Sequence, residues 1–429
     1  MAKKSLWTSG HTLKRFDIIP AGGGAATNLM GQIAGIKYYE DIIDSTIHFE
    51  MFCYDTFGFL NKLPIRSGMT VHLEVEHPSQ EDNFIWDDST EPLVITNIRS
   101  NTSDTKRELF ALTLETKHAI TNQTQRVWEK HTGKISDTVS KILKDKLEIE
   151  ERVVVHETKN NYEFTGNYRR PLYMITKLCP KSIPTTSDGD KSTKGSSGYL
   201  FFESQDGYNF LSIDKIFDDA KPDDVPRYIL PSDKSTLDKN NNFYFSSQPR
   251  WVESHDLLKK LRSGAYKTAN TYYNLISRKP IFSEYSFKES LRTYLKLSND
   301  EENIPAIYAD HYSRMTLGIL DQGTMTPKVS GESTETPQDQ ANFQSQTSAR
   351  YSSLFSQMLN ISVPMNLSLR AGQVIFCEFP KLNIEKSTKK GVNPASGLYM
   401  IARLAHEFGA KEGDYTGLTL VRDSFQPNE

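Results

Sequence analysis

Cysteine is scarce. Cys53, Cys179 and Cys377 are the three in 429 residues and lie far apart, so neither a disulfide framework nor a CxxC metal knuckle is available. Buried, reduced thiols are expected instead. Long apolar runs are absent too: the uncharged stretch Pro20 to Ile36 holds Gly22, Gly23, Gly24, Gly31, Gly35, Asn28 and Gln32, too polar for a spanning helix. No apolar secretory segment follows Lys3 and Lys4, so no membrane anchor is expected, and folding in a cytoplasm is. Charge of one sign is also missing. With Lys+Arg 51 against Asp+Glu 54 and a net charge of −3, a global basic field for nucleic acid or an anionic membrane is excluded. Catalytic signatures are lacking as well: no Gly-x-Ser-x-Gly elbow, His-Glu-x-x-His, P-loop or cysteine-centred motif occurs, which disfavours an enzyme. A two-carboxylate glycosidase leaves no local motif, so peptidoglycan cleavage stays open as an alternative.

What is abundant is aromatic. Tyr 20 and Phe 22 bring the aromatic share to 11%, a bias suited to pleated, half-buried strands and subunit interfaces. The hydrophobic share of 37% is low for a compact enzyme and implies long polar loops. The length suggests about three domains. Ile47, Phe49, Met51 and Cys53 alternate with His48 and Glu50, and Val71, Leu73 and Val75 with His72, Glu74 and Glu76; both read as half-buried strands. Leu93 to Arg99 and Glu108 to Thr116 repeat the pattern, giving a β-barrel or sandwich over roughly residues 1–130.

The style changes near Gly133. Ile135, Val139, Ile142, Leu143 and Leu147 are spaced as a helix, and Pro171 to Cys179 carries a proline fit for a first turn with Pro180 as a stop. Tyr199 to Ile213 alternates around Asp206-Gly207, the strongest hairpin signal in the chain, and predicts a type I′ turn. These features define a mixed central module over 131–254, in which Asp218 to Asn242 reads as a linker. A further hairpin is expected in 255–292 across Ser277–Pro280, and β style returns over 350–425. Between them, 293–349 reads as an insertion with a polar loop at Thr324 to Ser348. The fold class expected is mainly β with minor α.

Candidate chemistry is thin, and no catalytic, cofactor-binding or metal residue is assigned. Gly22 to Thr27 follows Ile18-Ile19 like a dinucleotide loop, but its third glycine and its helix are missing, so a plain Gly-rich segment is the better reading. His72, Glu74, Glu76 and His77 are the one dense His/carboxylate cluster; on a strand they read as a solvated face rather than a metal site. His118 and His131 have no ligand partner at a recognisable spacing. The aromatics of Tyr199 to Phe210 lack the surrounding Lys and Arg of a base-stacking surface and read as core.

Five groups of segments, in order, resemble baseplate hub subunits of contractile-tailed bacteriophages. Gly35–Asp44 with Asp55–Gly58 and Leu60–Val71 is similar to the family's opening barrel. Gly166–Pro171 with the helix to Leu178, and Gly198–Asp214, look like its central module. Leu261–Tyr266 looks like the start of a second barrel, which Leu369–Ile375 and Gly397–Glu407 complete. The resemblance implies two tail-tube-like barrels per subunit, 1–130 and a discontinuous 255–292 with 350–425. It implies a homotrimer, hence six barrels around a channel, adapting the sixfold tail tube to the threefold central spike. Implied partners are the spike, tube and tube-initiator proteins, baseplate wedge proteins, the tape measure, and DNA only in transit. The location implied is the virion tail baseplate, assembled in the host bacterial cytoplasm. The alternatives are the spike base of a type VI secretion or tailocin injector, and a hub carrying cell-wall hydrolase activity.

Overall fold

Strands form where apolar and polar residues alternate, because successive side chains point to opposite faces of a pleated sheet. The computed structural model describes residues 10–55, 65–78, 84–103, 108–185, 196–220, 224–231, 243–254, 256–275, 278–287, 297, 310–320, 338–380, 393, 395–409 and 413–423. Its first lobe is β1 (Thr12–Ile19), β2 (Thr27–Asn28), β3 (Ile33–Asp41), β4 (His48–Asp55), β5 (Thr70–Glu76), β6 (Phe84–Trp86), β7 (Leu93–Ser103) and β8 (Glu108–Thr116). Ile47, Phe49, Met51, Cys53, Val71, Leu73 and Val75 are buried, as their alternation requires. The short helix α1 (Lys117–Thr124) closes the lobe.

The central module follows with β9 (Lys130–His131), α2 (Ile135–Leu147), β10 (Val153–Val155), β11 (Phe164–Thr165), α3 (Pro171–Leu178), β12 (Tyr199–Ser204), β13 (Gly207–Ser212) and α4 (Ile213–Asp218). The expected helices are present. Ile135, Val139, Ile142, Leu143 and Leu147 all face one core with Leu172, Ile175 and Leu178. In α2 the free first-turn N–H of Ser136 donates to Thr158 Oγ1 at 3.0 Å; in α3 Pro171 sits in the first turn and Leu172 N donates to Asn122 Oδ1 at 3.0 Å. Such external caps satisfy donors that the helix leaves unpaired.

The hairpin β12–β13 forms as expected, but its turn differs. Positive φ falls on Gly207 alone, at 121°, and not on Gln205 or Asp206, so the turn is not type I′. Glycine is needed here for a second reason. β10 runs parallel to β13, and a Cβ on Gly207 would strike the carbonyl of Arg152.

The remaining elements are β14 (Arg227–Ile229), β15 (Arg250–Ser254), α5 (Leu257–Ser263), β16 (Lys267–Asn274), β17 (Lys279–Ser286), β18 (Arg314–Ile319), α6 (Gln338–Leu354), β19 (Gln357–Pro364), β20 (Val374–Glu378), β21 (Gly397–Phe408) and β22 (Tyr415–Arg422). Strands from the two ends of the chain share one 14-stranded sheet, ordered β15-β19-β22-β21-β3-β4-β8-β7-β5-β1-β2, with β6 on β5, β20 on β21 and β14 on β20. The fold is mainly β with minor α. The two ends of the chain meet at β3. β3 offers β4 one edge and β21 the other, and a single apolar core runs through both lobes, with Phe84 and Phe408 in contact at 6.0 Å between ring centroids.

Two further expectations are corrected. The hairpin within 255–292 is present as β16–β17, yet it pairs with β18 in a separate three-stranded sheet, β17-β16-β18, while β15 pairs with β19. The polar loop at Thr324 to Ser348 lies outside the described residues over 324–337, but from Gln338 onward it is helix α6. That helix buries small and polar residues, Ser345, Thr347, Ala349 and Arg350, so it shows no apolar stripe in sequence. The expected loop Thr185 to Gly198 lies outside the described residues over 186–195.

Candidate functional site

Two buried ionic junctions hold the modules together. At the first, the Glu40 side chain of β3 is buried and its carboxylate collects three donors. Tyr38 Oη donates to Oε1 at 2.6 Å and the backbone N–H of Gln205, at the hairpin tip, donates to the same atom at 2.7 Å. Ala371 N, ahead of β20, donates to Oε2 at 2.6 Å. One carboxylate thus ties the first lobe, the central hairpin and the C-terminal lobe. Burial raises the pKa of Glu40 while these donors oppose the rise. Beside it, Arg370 Nη2 donates to Asp206 Oδ1 at 3.0 Å, and Glu203 Oε2 of β12 accepts the Ile47 N–H at 3.0 Å.

At the second junction Arg350 of α6 is fully buried, at 0% exposure. Its planar fork donates from Nη1 to Asp423 Oδ2 at 3.0 Å and from Nη2 to Asp214 Oδ1 at 3.1 Å. The guanidinium also lies over the Phe217 ring at 5.0 Å. A buried cation flanked by two carboxylates is tolerable where an unpaired one is not. Asp214 in turn accepts from Ser196 N at 2.7 Å. The helix, the central module and the end of β22 are therefore locked to one another.

The peripheral sheet presents a different surface. Along β16, Thr268, Asn270, Tyr272 and Asn274 are buried, and Asn270 bonds to Ser345 of α6 and to Thr316. The opposite face is apolar and open. Cross-strand rows place Phe282 beside Thr271 and Leu317, and Tyr273 beside Ile319. Leu317 is 88%, Phe282 77%, Met315 74% and Ile319 65% exposed, values that mark a contact surface rather than scattered surface residues. β17 and β18 are also the edges of this sheet.

The residues singled out in sequence land as follows. Gly22 to Thr27 is the link from β1 to the short strand β2. His72 is not solvated: it is buried, opposite Asp17 in the sheet register, with Asp88 3.4 Å away. Glu74 is half-buried and Glu76 exposed. The Ser89 hydrogen bonds, then His72 and Arg15, hold the Asp87 carboxyl below its ordinary range. His77 is buried 3.8 Å from Asp414. These four do not converge. His131 stacks on Phe164 at 5.1 Å. His118 faces Glu91 at 2.7 Å. Tyr199, Phe201, Tyr208 and Phe210 are core residues. All three cysteines are free and buried, and burial pushes the Cys53 thiol up to about 12, which leaves it inert. Sequence reading missed Glu40, Glu203 and Arg350; the one signal available was a charged residue inside an otherwise apolar alternation, as at Glu40 between Tyr38 and Ile42.

No protein-family model matches the sequence, and no curated protein matches it. Solved structures do match the fold. A tail protein from Neisseria meningitidis aligns over 98% of this chain and 100% of its own, at 11% identity and a TM-score of 0.55. The chain has the fold of this tail protein. The 43 kDa tail protein of prophage MuSo2 from Shewanella oneidensis shares this tail-protein fold over 96% of this chain and 99% of its own, also at 11% identity and a TM-score of 0.55. An Escherichia coli component of the type VI secretion system aligns over 97% of this chain and 77% of its own at 9% identity and a TM-score of 0.41. The tail-protein fold thus spans both lobes, the central module and the peripheral sheet.

Proposed function

We propose that this chain is a structural hub subunit of a phage tail baseplate, acting as a homotrimer that joins the sixfold tail tube to the threefold central spike. The observation that carries the reading is the likeness to two tail proteins over nearly the full length of both partners. The buried junctions support it, since a subunit that transmits force between tube and spike needs its modules fixed to one another. The apolar face of β16–β18 supports it too, because assembly requires large, partly apolar contacts. No enzymatic step is part of this role: Glu40, Asp214 and Asp423 are each engaged by protein donors. A net charge of −3 suits a channel wall that does not hold passing DNA. Light scattering and negative-stain images of the purified chain, alone and with its spike partner, test the proposal. A ring of three chains with a central hole is expected; a monomer under both conditions overturns it. Clearing of a peptidoglycan zymogram would replace the pure scaffold with a hub hydrolase.

A further inference from the structure

The fold brings together three residues that are distant in sequence. Glu91 lies between β6 and β7, His118 in the first turn of α1, and Glu203 on β12. One ligand-type atom from each falls within 4.8 Å of the other two. Glu91 and Glu203 are buried and His118 is half-buried. His118 Nδ1 and Glu91 Oε1 are 2.7 Å apart, yet both are shielded from solvent and neither has a hydrogen-bond partner of acceptable geometry. At that separation two lone-pair atoms repel unless a cation or a well-aligned proton lies between them, and the alignment for a proton is missing. A second buried carboxyl, Glu203, lies at the same spot, its Oε2 accepting the Ile47 N–H, and two carboxylates close together in a dry interior call for a cation between them. The imidazole is already oriented: its ring meets Tyr208 edge-on at 5.9 Å.

We propose that Glu91, His118 and Glu203 form a binding site for a divalent first-row transition ion of the zinc class. One imidazole and two carboxylates match that class, with a fourth position left to water. Calcium and magnesium fit less well, since both favour six or more oxygens. Bound there, the ion staples the first lobe to the central hairpin, beside the Glu40 junction but independent of it. The site stands whether or not the chain is a tail hub.

The test uses the untagged full chain, stripped with chelator and then titrated with zinc chloride, and separately with cobalt as a spectroscopic reporter. One equivalent of zinc per chain, a raised melting temperature, and cobalt bands of a site with a nitrogen ligand are expected. His118→Ala, at the half-exposed corner, is expected to weaken zinc binding at least tenfold while its circular dichroism is kept. Glu91→Gln, which preserves shape, should do the same. Substoichiometric zinc in the unaltered protein overturns the site, with the two glutamates then sharing a proton. Unchanged affinity in both variants overturns it equally.

Discussion

Arg350 shows how much a single side chain carries here. Its two aspartate partners come from other modules, so removing it leaves Asp214 and Asp423 facing each other in a dry site. Arg350→Ala is expected to cost about 3–5 kcal/mol of unfolding free energy, read from denaturant titration. Lysine should restore little, because it lacks the planar fork that reaches both carboxylates. A loss below about 1 kcal/mol would show that the junction is not a clamp. None of this was legible in sequence. Arg350 follows a polar stretch, and its partners lie 136 and 73 positions away. His72 teaches the opposite lesson: strand alternation puts it on the outer face, but alternation says nothing about what the rest of the fold brings beside it, and the ring is buried.

At the scale of elements, pattern was a sound guide wherever one apolar face met one core. The strands of the first lobe, α2, α3 and the hairpin β12–β13 were all legible on that ground. Turn geometry was not, because the backbone of Arg152, supplied from elsewhere in the chain, decides what fits at Gly207. Gly207→Val adds a β-branched side chain at positive φ and a collision with that carbonyl, so a loss of about 3 kcal/mol or more is expected in thermal unfolding. Helix α6 reads as loop over most of its length because hydrogen bonds and Arg350, more than an apolar stripe, pack it. The sheet of β16–β18 yields a contrasting expectation. Leu317→Glu changes an exposed position, so stability should stay within about 0.5 kcal/mol, while assembly measured by light scattering should fall. Intact assembly in this variant would remove the open face from the subunit contact.

Across the whole molecule the buried histidines contribute a pH dependence with a definite sign. Burial, with Arg370 and His77 adding to it, lowers His406 to about 3 from an ordinary value of 6.5, and burial also lowers His77, His131 and His156. Between those limits the unfolded chain binds more protons than the folded one. Their contribution to stability is therefore full above the ordinary histidine range and lost as pH falls through it. For His406 the slope is about 1.4 kcal/mol per pH unit. His406→Gln should flatten the fall in unfolding free energy between about pH 6.5 and pH 5 by that amount; an unchanged slope would mean that His406 becomes charged in the native protein.

The pairing of β3 with β21 also sets a clock. Arg403 Nε donates to Asp41 Oδ2 across a separation of 362 positions. At roughly 5–20 residues per second, a ribosome needs about 20–70 s to make the intervening chain. Throughout that interval β3 has one edge open, with its backbone donors and acceptors free to pair with whatever strand arrives first. The early lobe therefore cannot commit to its final sheet until β21 has emerged, and nascent chains held short of it should remain open to protease where released chains are not. A chain interrupted in synthesis before β21 thereby stays incomplete, since it lacks the strand that pairs with the open edge of β3.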